Sequence, residues 1–110
     1  MSAYVDSKNS LPAGAFEKIA VSSSAIGITS TLVTVNEAGG LKKRAVSALI
    51  SVETNSIRLR IDGTDPDAST GHLLAAGDYI TIQGESNISR LKMIRASADA
   101  VVQVTIFYNR

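Results

Sequence analysis

The residues best equipped for chemistry sit close together in "RLRIDGTDPDASTGHLLAAGDYITI", residues 58 to 82. This stretch holds the single histidine, His72, and four of the ten acids: Asp62, Asp65, Asp67 and Asp78. Carboxylates at this density could hold a cation, and a histidine near carboxylates could move protons. The spacing Asp65-x-Asp67-x-Ser69 is that of the start of a helix-loop-helix calcium loop. That loop needs glycine at its sixth position and glutamate at its twelfth. Here Thr70 and Ala76 stand there, and no helical pattern flanks the stretch. Gly63 and Pro66 suit a chain reversal instead.

Other chemistries find even less. A zinc or iron centre needs about three converging His, Cys or carboxylate ligands. The chain has one histidine and no cysteine, so His72 reads as a polar residue at a strand entry. His72 could serve a serine as base, with Asp62 or Asp78 orienting it. No Gly-x-Ser-x-Gly elbow accompanies it. A carboxylate pair for glycoside cleavage is a three-dimensional property. Its cleft is ordinarily lined with aromatic residues, which are scarce here. "AGG" (38–40) lacks the Lys-Ser/Thr of a phosphate loop. The reading is therefore not an enzyme, with no metal and no cofactor. The stretch from Asp62 to Gly77 is a long connection between strands. Loops of this length without structure tend to be functional, and this one suits contact with another protein.

Composition narrows the partners. The chain has 110 residues, enough for one domain. A net charge of +1 gives no bulk attraction to nucleic acid or anionic lipid, so neither is expected as a partner. No segment approaches the ~20 apolar residues of a membrane helix. The start, "MSAYVDSKNSLPAGAF", lacks the basic and apolar runs of a signal peptide, which predicts a soluble protein not exported by the usual route.

The elements that must position these residues are strands. Residues 1–15 are small and polar, broken by Pro12 and Gly14, and read as an extended arm that a partner chain holds. Strands are predicted over 16–21, 24–29, 31–35, 44–53, 56–62, 79–83 and 100–108. "SIRLRID" (56–62) is the clearest, with Ile57, Leu59 and Ile61 inward and Arg58 and Arg60 outward. In "RAVSALISVE" (44–53), Val46, Ala48, Ile50 and Val52 share the inward face. "NISRLKMIRAS" (87–97) fits either a bulged strand or a helical stripe, and its neighbours favour the strand. The expected fold is all-β: one β-sandwich over 16–110 of about eight strands, of jelly-roll type, with an N-terminal arm over 1–15. Its core is predicted from Val46, Ile50, Val52, Ile57, Leu59, Ile61, Ile80, Ile82, Val102, Val104 and Ile106.

Exposure and length pick out the contact residues. They are Tyr4, Val5 and Leu11 of the arm; Lys42, Lys43 and Arg44 of "LKKR", read as a charged turn; and Asp65, Asp67 and His72 of the long loop. An aromatic cluster for sugar binding is not legible, because Tyr4, Tyr79, Phe107 and Tyr108 are scattered.

Residues 45–108 carry a resemblance. An apolar strand ends in "VE", followed by "IRLRIDGT-P", then "GH-L-AGD-I-I", and a last strand "V-VTIFY". "RIDGTDP" followed by "GHLLAAGD" is its most specific part. The pattern, over about residues 16 to 108, resembles small virion structural proteins of tailed bacteriophages and prophages. It looks like that of jelly-roll cement or decoration proteins of the capsid. The resemblance implies a non-enzymatic protein, made in the host bacterial cytoplasm, that braces the capsid surface. It implies the major capsid protein as partner and a homo-oligomer as the working form. A head–tail connector or tail component, or a receptor- or glycan-binding virion module, is the alternative.

Overall fold

A computed structural model describes residues 13–109. Their chain forms eight strands and two helical turns: β1 (Ala13–Val21), α1 (Ser30–Val33), β2 (Thr34–Asn36), β3 (Lys42–Thr54), β4 (Ile57–Arg60), β5 (His72–Leu74), β6 (Tyr79–Gln83), α2 (Glu85–Arg90), β7 (Lys92–Arg95) and β8 (Ala100–Asn109). Every strand pair is antiparallel. One sheet runs β1-β8-β3, and the far side of β3 is shared by β2 and β6. The other sheet runs β5-β4-β7. The all-β expectation holds, as does the strand number. The five-plus-three division does not by itself establish jelly-roll wiring.

Alternation explains the layers. Along β8, Val102, Val104, Ile106 and Tyr108 are buried while the residues between them are half-buried. They meet Ile19 and Val21 of β1, Ala48, Ile50 and Val52 of β3, and Ile82 of β6 on one face. Ile57 and Leu59 of β4 and Met93 of β7 join the same cluster from the smaller sheet. Val33 of α1, Ile88 of α2 and Leu91 complete it. Each Val, Leu, Ile or Met side chain among them contributes ~1.5–3 kcal/mol when removed from water.

The predicted core is corrected at three residues, Val46, Ile61 and Ile80. Pairing of β3 with β8 slips between Ala45 and Ser47, opposite Tyr108 and Phe107. The extra residue reverses the alternation, so Ala45 is buried and Val46 is only half-buried. The Val46 carbonyl accepts the Gly84 amide at 2.8 Å, tying the start of α2 to the bulge. Ile61 and Ile80 are also half-buried, packed against the core rather than inside it.

Three predicted strands turn out differently. Residues 24–29 make one bridge, Ile26 with Met93, instead of a strand. Residues 30–33 form the helical turn α1, and only Thr34–Asn36 pairs, against β3. Residues 85–95 split at Leu91 into α2 and β7, so the helical stripe and the strand are both present in succession. The eighth strand is β5, inside the stretch taken as loop.

Candidate partner-binding surface

β4 and β5 form a hairpin, with Ile57 opposite Leu74 and Leu59 opposite His72. The connection between them, residues 61–71, carries three of the four acids singled out from the sequence, Asp62, Asp65 and Asp67. With Ile57 and Leu59 buried, Arg58 and Arg60 point outward beneath it. The Arg58 guanidinium donates to the Ala68 carbonyl at 3.1 Å through Nε and to the Gly71 carbonyl at 3.0 Å through Nη1. One planar group thus holds two points of the loop, a geometry that a point-charge lysine lacks.

The carboxylates also serve the loop. Asp62 accepts from Arg60 at 3.1 and 2.5 Å and from the Thr64 amide at 3.2 Å. Asp67 accepts the Ser69 amide at 2.9 Å and the Ser69 hydroxyl at 3.1 Å. Asp67 and Thr70 exchange backbone hydrogen bonds at 3.0 and 3.2 Å, closing a tight turn. Pro66 is buried below it. Gly71, at φ 134°, holds a backbone conformation that strains any other residue, and a Cβ there would sit tightly, 3.1 Å from the Leu59 carbonyl oxygen.

These contacts set the charge states. The bond from Arg60, then that from the Thr64 amide, holds the Asp62 carboxyl well below its ordinary value, at about 2. The Asp67 carboxyl is lowered by the Ser69 amide and then by its hydroxyl. The Arg60 guanidinium is pushed up by Asp62. Both carboxylates are therefore ionised at neutral pH and already committed within the loop.

Asp65 and His72 are exposed, and His72 opens β5 as a strand-entry residue. Arg60, Ile61, Asp62, Thr70, Gly71 and His72 line a shallow, open depression of ≈ 460 Å³. Asp78 lies beyond β5 and caps a different turn, accepting the Ala75 amide at 2.8 Å. Among the described residues, no group of three or more metal-ligating side chains gathers. The arrangement presents a fixed, acid-bearing surface and is suited to contact.

Lys42, Lys43 and Arg44 belong to β3 and pair with β2, so "LKKR" is strand rather than turn from Lys42 onward. Arg44 meets Glu85 at 3.2 Å, and the Thr34 hydroxyl donates to the same carboxylate. Those two bonds, the threonine's first, lower the Glu85 carboxyl. Lys43 lies 3.7 Å from Glu37 and 4.8 Å above the Tyr108 ring. Lys42 is exposed. This group and the loop residues sit on different sheets, and the structure does not merge them into one site. Tyr4, Val5 and Leu11 lie outside the described residues.

The sequence hid two features. Arg58 looks like any outward strand residue; the only hint of its clamp is the long loop that follows. Phe16, Tyr79 and Phe107, far apart in sequence, lie on one face of the larger sheet, while Tyr108 is buried on the other.

No helix among the described residues is long and apolar enough to cross a membrane. No family model matches the chain, and no curated protein matches it. One solved structure is similar over part of it, described as the crystal structure of an HTH_3 family transcriptional regulator from Vibrio cholerae. That likeness has a TM-score of 0.42 and 17% identity, and covers 62% of this chain and 36% of that one. At this level it carries no argument about fold or function.

Proposed function

We propose that this protein is a non-enzymatic structural component of a tailed-phage virion, binding the major capsid protein and stabilising the shell at its outer surface. The observation that carries the reading is the resemblance of residues 16–108 to such proteins, centred on "RIDGTDP" and "GHLLAAGD". What supports it physically is the construction of that very segment. The first motif lies in the loop that Arg58 and Asp67 hold in shape, and the second begins at Gly71 and β5. A loop ordered before binding loses less entropy when it docks. Asp65, Asp67 and His72 are the residues proposed to meet the shell, with Lys42 on the other sheet as a further contact. The arm, with Tyr4, Val5 and Leu11, adds an extended segment of the kind that pairs with a neighbour's sheet.

The test is occupancy. Purified protein is added to particles that lack it, and bound copies are counted across a concentration series. A chain without residues 2–12 and a chain carrying Asp65→Ala with His72→Ala are compared with wild type. Weakened attachment with the sandwich still folded is the expected result. Unchanged occupancy by both variants would remove these residues from the contact, and failure of the wild type to bind would remove the reading.

A further inference from the structure

We infer that the outer face of the smaller sheet, at Arg60, Lys92 and Arg90, binds carboxylate side chains of an acidic segment on a partner protein. The inference holds for any protein bearing such a segment and does not rest on the virion reading. Burial of Ile57, Leu59 and Met93 turns Arg58 and Arg60 of β4 outward together with Lys92 and Ile94 of β7. The strands β5, β4 and β7 carry Arg58, Arg60, Lys92 and Arg95, and no Asp or Glu. Arg95 pairs with Ile57 on the inward side and is bound to Asp99 at 2.5 Å. The remaining cations are all on the outer face.

Register sets Arg60 directly opposite Lys92. Like charges facing each other across an antiparallel ladder destabilise the pairing, and a shared acid would cancel that cost. None is supplied. Asp62 faces Arg60 through both oxygens and accepts the Thr64 amide as well. Among the described residues, neither Lys92 nor Arg90 meets a carboxylate within ion-pair distance. The Lys92 stem leans away from Arg60, with Cδ 3.8 Å from where a Cβ on Gly27 would stand, along the edge of β7 where Ile26 bridges Met93. Arg90, at the end of α2, lays its stem against the start of the loop: its Cγ and Cδ are 4.0 Å from a Cβ placed on Gly63.

Arg60, Lys92 and Arg90 thus stand around the base of the loop, and Asp62 answers only the first. Arg58 adds a further positive charge, because the Ala68 and Gly71 carbonyls satisfy its donors without cancelling it. An incoming carboxylate completes this arrangement. Arg60 binds Asp62 through Nε and Nη2, which leaves Nη1 to donate to a second acid. The same acid, or its neighbour in an extended segment, relieves the repulsion between Arg60 and Lys92. Leu73, 54% exposed and paired with Arg58 on this face, offers apolar contact to the segment's side-chain stems.

A nucleic-acid strand fits this face less well. Its phosphates continue in both directions and need a track of cations. Asp65 and Asp67, on the connection beside the cations, repel such a strand. A protein segment needs only one or two carboxylates at this point and can present other residues to the acids.

The experiment is a nuclear magnetic resonance titration of the isotope-labelled full chain with a hexaglutamate peptide and, separately, with an oligothymidylate of equal charge. The peptide should give saturable shifts at the Arg60, Gly63 and Lys92 amides that weaken as salt is added. Lys92→Gln and Arg90→Gln should each weaken it by roughly threefold, the scale of one exposed ion pair. Lys92→Glu should abolish the shifts while its melting temperature stays level or rises, because a like pair across the ladder becomes an opposite one. Should Lys92→Gln fail to fold, Arg90→Gln, at an exposed position, alone decides. Absence of saturable shifts at these residues, or folded Gln variants that bind like wild type, overturns the inference. So does tighter binding of the oligothymidylate at the same residues. A folded Lys92→Glu that melts lower than wild type also overturns it, because Lys92 then serves the fold.

Discussion

The ring of Tyr108 lies directly over Gly14: a Cβ at that position would stand 2.5 Å from its Cδ2 and 2.8 Å from its Cε2. The same residue donates its hydroxyl to the Leu32 carbonyl and lies under Lys43. It thus joins β1, α1 and β3 at the end of the sheet where both strands flanking β8 slip in register. Gly14→Ala must push the ring aside. Overpacking of this kind costs ~1–3 kcal/mol, read as a lower midpoint in urea. Tyr108→Phe keeps the ring and loses one hydrogen bond, for a smaller cost of ~0.5–1.5 kcal/mol. Equal stability of Gly14→Ala and wild type would show that the ring is not fixed there.

Leu59 is 1% exposed at the centre of β4, between β5 and β7. Leu59→Ala removes core volume that its neighbours only partly refill. The expected loss is ~2–5 kcal/mol in chemical denaturation. A loss under ~1 kcal/mol would place Leu59 outside the core.

β4 was legible because its pattern obeys one rule: Ile57 and Leu59 alternate with two arginines, and period two means a strand. β3 obeys it only from Ala48 onward. The bulge at Val46 lies opposite Phe107 and Tyr108 and leaves no mark in the pattern of β3 itself. The segment 24–29 alternates like a strand. Yet Gly27 passes so close to the Leu91 carbonyl that a Cβ would stand 2.5 Å from its oxygen, and the chain there is shaped by that approach. Residues 87–97 carried both periodicities because Ile88, Leu91 and Met93 all reach the core, from a helix, a junction and a strand in turn. In the loop, the aspartates suggested turns, and Asp67 makes one. The Arg58 clamp could not be read, since its acceptors are backbone carbonyls and carry no sequence signal.

Arg58→Ala should loosen the loop while leaving the sandwich intact. Amide exchange at Asp67 and Thr70 should accelerate, because their mutual bonds depend on a loop held at Ala68 and Gly71. Denaturation should change little beyond the ~1.5–3 kcal/mol of hydrogen bonds to a charged group. Arg58→Lys should not restore protection, because an ammonium lacks the fork that spans two carbonyls. Unchanged exchange in Arg58→Ala would mean that the Asp67 turn holds itself.

Acid should release the loop before the core. The folded Asp62 carboxyl titrates at about 2, below its ordinary 3.8. A depressed carboxyl stabilises the folded loop fully above the ordinary value, and that contribution fades as pH falls through the folded one. Asp67 is shifted in the same direction. The Thr64 amide, which Asp62 accepts, should therefore lose protection between about pH 4 and 2, and the Ser69 amide, which Asp67 accepts, as the pH falls below the ordinary carboxylate value, while β4 amides keep theirs. Asp62→Asn should abolish the Thr64 step in that window. Simultaneous loss in loop and β4 would contradict a locally held loop.

The most direct test of the account is mass spectrometry of purified virions from a host carrying this gene, with the copy number of the protein measured against the major shell protein. The account expects many copies in a fixed ratio to the shell subunit, removable from the outside without opening the particle. A few copies confined to one vertex would make it a neck or tail component, and its absence from purified virions would contradict the structural reading altogether.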